Sequence, residues 1–294
     1  MKTALITGAS GLLGKALSNH LIAEGWTVRS LGRGPEGPGK WHWDPEKAIL
    51  PVEALAGCDA VVHLAGESLV GRWTAAKRER IMQSRVQGTR LLAARVASME
   101  RPPSVLISAS GAHRYPADGA VQDENSGEGE GFLATVCSAW EDAAKPVEAV
   151  GTRLVNLRTG MVVSKYGGAL AQMLTPFKFG LGGPLGDGQQ WMSWIELSDW
   201  CHLVTWAIKT ESVTGPLNAV SPEPVRQKAF AKALGNQLNR RAILPVPAFM
   251  IRLAMGQMGE EMLLSSLRVL PAKALANDFK FKAASIETAL SKSL

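Results

Sequence analysis

Through the first half of the chain, short apolar runs alternate with longer segments whose apolar residues recur at helical spacing. That alternation predicts a parallel sheet covered by helices on both faces. The runs at 3–7, 27–31, 60–64, 104–108 and 153–158 read as successive strands. Segments 11–24, 75–97 and 135–147 read as helices, and the Gly/Pro-rich stretch 32–44 as a connector. Beyond residue 159 the pattern changes: glycines crowd 180–188, and Pro245, Pro247 and Pro271 separate the later helical segments. The runs 193–197 and 215–220 read as strands returning to the main sheet. The expected architecture is α/β, a doubly wound parallel sheet over 1–165 to which 193–220 returns. Segments 166–192 and 221–294 are expected to form a smaller, mainly helical substrate domain.

The first expected strand runs into Thr7-Gly8-Ala9-Ser10-Gly11-Leu12-Leu13-Gly14. Gly8 permits a tight reversal, Gly11 lets backbone N–H groups approach a phosphate, and Gly14 lets the next helix pack closely. The helix N-terminus adds positive dipole. Ser10, Leu12 and Leu13 complete this expected pyrophosphate turn. The second strand ends at Leu31-Gly32-Arg33, where a carboxylate would select NAD; a guanidinium there suits a 2′-phosphate and favours NADPH over NADH. Leu64, Ala65 and Gly66 are expected beneath the ribose and phosphates, and Glu67 either bonds a ribose hydroxyl or faces solvent.

At 294 residues and 46% hydrophobic content the chain can bury a sizeable core. No apolar run is long enough to span a membrane, and the first strand begins at once, so a cytoplasmic protein without membrane contact is expected. The three cysteines, Cys58, Cys137 and Cys201, are scattered, which indicates neither a disulfide framework nor a metal cluster. The net charge is +6, and Lys77, Arg78, Arg80, Arg85 and Arg90 cluster in one helix. Interspersed Glu79 and the helical spacing favour a solvated face over a nucleic-acid surface.

Taken together, the Gly8/Gly11/Gly14 turn, the strand ending at Gly66, Gly88-Thr89, Arg158-Thr159-Gly160 and the segment from Ile195 to Asp199 resemble the extended short-chain dehydrogenase/reductases, with their Rossmann domain. More narrowly, the segments from His63 to Glu67, Phe132 to Cys137, Trp140-Glu141, Gly180 to Gly186 and Arg268 to Pro271 are similar to the atypical "epimerase family protein" branch. That branch is nucleotide-sugar-epimerase-like and carries a C-terminal domain of unknown function. The resemblance implies that Arg158, Gly160 and Val162 lie beside the nicotinamide. It implies a tyrosine and a lysine four residues later for proton transfer, but Leu133 and Cys137 stand at those positions.

Substitutes are expected after the strand at 104–108: Ser110 to orient substrate, His113 to titrate, Tyr115 to donate a proton. Cys137 reads as a buried helix residue, His63 as a satisfied structural histidine rather than a metal ligand, and Asp199 as a brace. The leading expectation is an NADP(H)-dependent oxidoreductase or epimerase-like enzyme acting on an unknown small molecule. The alternative is a non-catalytic NADP(H)-binding or sensing protein that signals through a partner. By analogy alone, the helix at 75–97 suggests a homodimer.

Overall fold

A computed structural model describes residues 2–294. The chain runs through β1 (Thr3–Thr7), α1 (Leu12–Ala23), β2 (Thr27–Gly32), β3 (Lys40–His42), α2 (Val52–Leu55), β4 (Ala60–His63), α3 (Ala75–Ala97), β5 (Val105–Gly111), β6 (Asp118–Gln122), α4 (Phe132–Ala144) and β7 (Arg153–Thr159). It continues with β8 (Met161–Val163), α5 (Gly168–Lys178), β9 (Trp191–Met192), β10 (Trp194–Glu196), α6 (Leu197–Lys209), β11 (Gly215–Ala219), β12 (Val225–Arg226), α7 (Gln227–Gln237), α8 (Ala248–Met255) and β13 (Ser266–Val269).

Seven parallel strands form the main sheet in the order β11-β7-β5-β4-β1-β2-β3. Winding reverses between β1 and β4, and in such sheets ligand sits in the crevice outside the strand C-termini at that reversal. Successive strand residues point to opposite faces, and both faces are covered. Ala4, Ile6, Val62, Ile107 and Val155 pack with Leu17 and Leu21 of α1 and Trp200 and Leu203 of α6. Leu5, Leu31, Val61, Leu106 and Leu154 pack with Leu92 and Val96 of α3. Each such buried aliphatic side chain contributes roughly 1.5–3 kcal/mol of transfer free energy, which is why these strands read as continuous apolar runs.

A second core joins Val163, Leu170, Trp194, Phe230, Leu234, Ile286 and Leu290. It holds the later helices together beyond the strand C-termini. Two sequence expectations are corrected. The connector at 32–44 contains β3, which pairs with β2 and is too short among its Gly and Pro neighbours to show an alternating pattern. The run at 193–197 does not return to the main sheet; β10 pairs with β8, because β7 is already flanked by β5 and β11. Only β11 returns, at the sheet edge. Asp199 does brace its region: its carboxylate accepts from the backbone N–H of Lys282 and Ala283 at 2.8–3.0 Å.

Candidate cofactor and substrate site

The β1–α1 turn can be built only from glycine at two of its positions. Gly8 has φ +69°, and a Cβ there would stand 2.9 Å from the Leu64 carbonyl carbon. At Gly14 a Cβ would stand 2.3 Å from the Gly8 carbonyl oxygen. Helix α1 begins at Gly11 with no side-chain cap and no acid in its first turn. Its first N–H groups, including those of Leu12 and Leu13, therefore remain available to an anion. Ser10 is exposed beside them. This turn fits a dinucleotide's pyrophosphate.

A buried chain of hydrogen bonds fixes the neighbouring loop. Thr89 Oγ1 donates to the Arg85 carbonyl at 2.6 Å, so His63 Nε2–H donates to Thr89 at 3.0 Å. His63 Nδ1 must then accept from Thr7 Oγ1 at 2.7 Å. The Thr7 oxygen in turn accepts from the N–H groups of Leu64 and Ala65, both at 3.1 Å. Burial lowers the His63 pKa to about 4, with the Arg85 charge adding to it. The imidazole is a neutral structural link that ties the Leu64-Ala65-Gly66 loop to β1. Among the described residues there is no cluster of His, Cys, Asp and Glu able to hold a metal ion.

A cavity of about 450 Å³ opens from this turn toward the later helices, within the range of small-molecule sites. Leu12, Leu13, Leu64, Gly160 and Val162 line its inner end. Helix α4 presents Leu133, Val136, Cys137 and Trp140, successive positions of one helical face. The far wall comes from Met173, Leu185, Trp191, Met192, Met262 and Leu267. The 180–188 loop is packed rather than loose: a Cβ at Gly182 or Gly183 would collide with Phe177 or Leu244. Gln190 bonds the carbonyls of Leu185 and Leu263.

Of the three expected catalytic residues, two reach the cavity. Ser110 does so, but its hydroxyl donates to Glu141 Oε1 at 2.7 Å, leaving it only acceptor capacity toward a ligand. His113 lies on the single turn Ala112–Arg114 after β5. Burial lowers its pKa to about 4, against the opposing pull of Glu261, so it meets a ligand as neutral imidazole. Tyr115 does not reach the cavity. It is 1% exposed; Arg158 Nη1 donates to its hydroxyl at 2.7 Å, and that hydroxyl donates to Asn218 Oδ1 at 2.8 Å. Burial raises its pKa to about 12 despite Arg158. Tyr115 is a packing residue, not an acid.

The placement of Arg158 beside a nicotinamide is likewise corrected. Its Nε and Nη2 bond Glu141 Oε1 and Oε2, both at 2.8 Å, in a buried bidentate pair. Burial disfavours the guanidinium charge, but Glu141 and Tyr115 outweigh that and raise its pKa. Gly160 lines the cavity, yet its missing Cβ serves the backbone of Ser193, whose carbonyl oxygen would stand 2.6 Å away. Glu67 is partly exposed and does not stand free: it pairs with Lys77 at 2.7 Å and more distantly with Arg80. Those partners, Lys77 first, lower its pKa, Arg33 adding a smaller pull. Arg33 itself is exposed just past β2.

Cys137 is a buried thiol whose pKa burial raises to about 11, so it is no thiolate nucleophile at neutral pH. Arg85 overturns the reading of its helix as a uniformly solvated face. It is 8% exposed and lines the cavity. Nor did the sequence point to Glu261, whose carboxylate accepts from Phe132 N and Leu133 N at 3.1 and 2.8 Å and so caps α4.

Comparison with known proteins agrees with this geometry. The model of the NAD dependent epimerase/dehydratase family matches residues 4–219, and that of a domain of unknown function, DUF1731, matches 246–292. An epimerase family protein of Mycobacterium leprae is 38% identical over 288 residues, 97% of this chain and 94% of its own. The human epimerase family protein SDR39U1 is 35% identical over 291 residues, 97% of each chain. A crystal structure of human SDR39U1 (isoform 2) with NADPH has a TM-score of 0.92 at 34% identity, covering 99% of this chain and 98% of that one. With its matching family model and relatives alike along nearly its whole length, the chain belongs to the NAD dependent epimerase/dehydratase family.

Proposed function

We propose that the protein is an NADP(H)-dependent oxidoreductase or epimerase-like enzyme acting on a small molecule held in the cavity. The observation that carries the reading is the uncapped glycine turn opening into an apolar cavity at the sheet's reversal. The human relative's structure with NADPH supports the choice of cofactor, as does Arg33 past β2. When bound, NADP(H) supplies or accepts a hydride. The α1 N-terminus and Leu64-Ala65-Gly66 bind it, Arg33 selects its 2′-phosphate, and the α4 face excludes water. Ser110 accepts a hydrogen bond from the substrate and neutral His113 holds or moves a proton.

The lining disfavours a sugar. Leu133, Val136, Met173, Trp191 and Met262 would leave sugar hydroxyls without partners, each costing free energy to bury. An apolar carbonyl or enone compound fits better. The test is to follow NADPH oxidation against a panel of apolar carbonyls, enones, quinones and nucleotide sugars. Turnover of an apolar class that His113→Ala or Ser110→Ala slows at least tenfold is expected. No turnover by fully loaded protein across the panel would overturn the enzymatic reading.

The tied hydroxyl of Tyr115, with leucine and cysteine at the usual tyrosine and lysine positions, favours a second reading: a non-catalytic NADP(H) sensor. It requires a partner whose affinity differs between loaded and empty protein. The buried free thiols support a reducing, cytoplasmic location.

A further inference from the structure

The end of α5, the glycine-dense loop and α8 form one unit that turns apolar side chains outward. Residues 178–186 and 240–246 run side by side: Arg240 Nε donates to the Lys178 carbonyl at 2.9 Å, Leu244 N to Gly182 at 3.3 Å and Val246 N to Pro184 at 2.8 Å. Helix α8 follows directly, and a Cβ at Gly186 would stand 3.7 Å from that of Ala248. Only Ile251 of α8 is buried. Phe249 and Leu253, one turn apart, are 66% and 75% exposed, and Phe179 and Leu181 on the adjoining segment are 77% and 61% exposed. Ile243 and Met250 are exposed with them. Apolar residues scattered singly over a surface are ordinary, whereas a group on one fixed unit marks a binding face.

The chemistry of the face says what covers it. From 242 to 256 the only polar side chain is Arg252, and from 176 to 186 the only one is Lys178. A protein partner is held through roughly one hydrogen bond per 100–200 Å² of interface, and these side chains offer almost none. The charge is of one sign: residues 149–186 and 224–259 hold no Asp or Glu, and Lys178, Arg240 and Arg241 stand exposed beside the apolar group. Arg252 is engaged by Glu260. A second copy of the chain would set this rim against itself, like charge on like, in a two-fold interface. Apolar side chains bordered by cations suit the surface of an anionic bilayer, where the first insert and the second pair with headgroups. We infer that this face docks the protein on an anionic membrane surface, Phe179, Phe249 and Leu253 entering the acyl boundary and Lys178, Arg240 and Arg241 meeting the phosphates. The contact is peripheral: among the described residues no helix is long and apolar enough to cross a membrane. The expectation of no membrane contact rested on the lack of a spanning run, which a peripheral contact does not need.

The test is flotation of purified full-length protein with vesicles of mixed phosphatidylglycerol and phosphatidylcholine, or of phosphatidylcholine alone, with thermal melting and sedimentation on the same samples. The parent is expected to bind the anionic vesicles about tenfold or more tightly than the neutral ones, and less as salt screens the cations. Phe249→Ser with Leu253→Ser, and separately Lys178→Gln with Arg240→Gln and Arg241→Gln, are each expected to weaken that binding about tenfold. Both sets alter exposed side chains, so the melting temperature should hold; Leu253→Ser alone gives the same reading in smaller measure. No binding of anionic vesicles by the parent, equal binding of neutral ones, or undiminished binding by the folded variants overturns the assignment. So does a parent dimer that Phe249→Ser with Leu253→Ser turns into monomer, since a second copy would then cover the face.

Discussion

Arg158 and Glu141 meet in a bidentate pair, both bonds 2.8 Å, with Ser110 bonded to the carboxylate and Tyr115 to the guanidinium. The pair fastens β7 to α4, and through Tyr115 and Asn218 the network reaches β11 and the Leu270 carbonyl. Tyr115 and Arg158, which looked like site chemistry, are thereby committed to holding the cavity wall in place. Breaking a buried pair by removing one partner leaves an uncompensated charge, and Glu141→Ala or Arg158→Met should cost about 3–5 kcal/mol in denaturant unfolding. A loss below ~1 kcal/mol would show that the pair is not the brace described.

Tyr115→Phe separates structure from catalysis. Losing the hydroxyl leaves Asn218 Oδ1 without its donor, so stability should fall by roughly 1–3 kcal/mol. NADPH affinity and any turnover measured well below the melting temperature should be unchanged. A collapse of turnover in a folded variant would return Tyr115 to the catalytic machinery.

Gly14 has no room for a side chain: the missing Cβ would stand 2.3 Å from backbone. Gly14→Ala must push α1 away from the turn, at a cost of about 1–3 kcal/mol. Because that displacement moves the first-turn N–H groups, cofactor affinity should drop as well. Urea unfolding and calorimetry on the same preparation check both halves.

The pH dependence follows from His63. Its ordinary value of 6.5 falls to about 4 in the fold. Between those values the unfolded chain binds the proton and the folded chain does not, so stability falls as pH drops through that window and is fully present above about 6.5. At 1.36 kcal/mol for each unit, the loss by pH 4 approaches about 3 kcal/mol. His113, also lowered to about 4, adds in the same direction. Urea midpoints measured across this range should decline, and a less steep decline is expected in His63→Gln. Midpoints that rise toward pH 4 would contradict the neutral-histidine link.

Glu261 tests the contribution of the C-terminal segment. Its carboxylate caps α4 from 128 residues away in sequence. Glu261→Ala should therefore cost about 1 kcal/mol, as for other lost helix caps. Hydrogen exchange should rise first at Phe132 and Leu133; protection unchanged at those amides would dismiss the cap.

The parallel sheet was legible because its strands are buried on both faces and so stand out as apolar runs, as at Ala60–His63 and Arg153–Thr159. The glycine turn was legible for a steric reason: the spacing brings Gly14 against the Gly8 carbonyl, and the reversal puts Gly8 at a φ of +69°. What stayed hidden depends on partners distant in sequence. Arg85 and Arg80 look alike within one basic helix, yet only the packing of Gly66 and Trp140 draws Arg85 inside. Tyr115 and Arg158 carry reactive groups, but nothing local reveals that each neutralises the other's use. β10 misled because its apolar run suits any sheet, and only the occupied edges of β7 decide which one it joins.

The central claim is an NADP(H) site at the reversal of the sheet, and calorimetric titration of cofactor-stripped protein with NADPH and NADH, repeated on Arg33→Ala, tests it most directly. The account predicts tighter binding of NADPH, a loss of about tenfold or more in the variant, and NADH affinity unchanged. Failure of the parent protein to bind either nucleotide would contradict it.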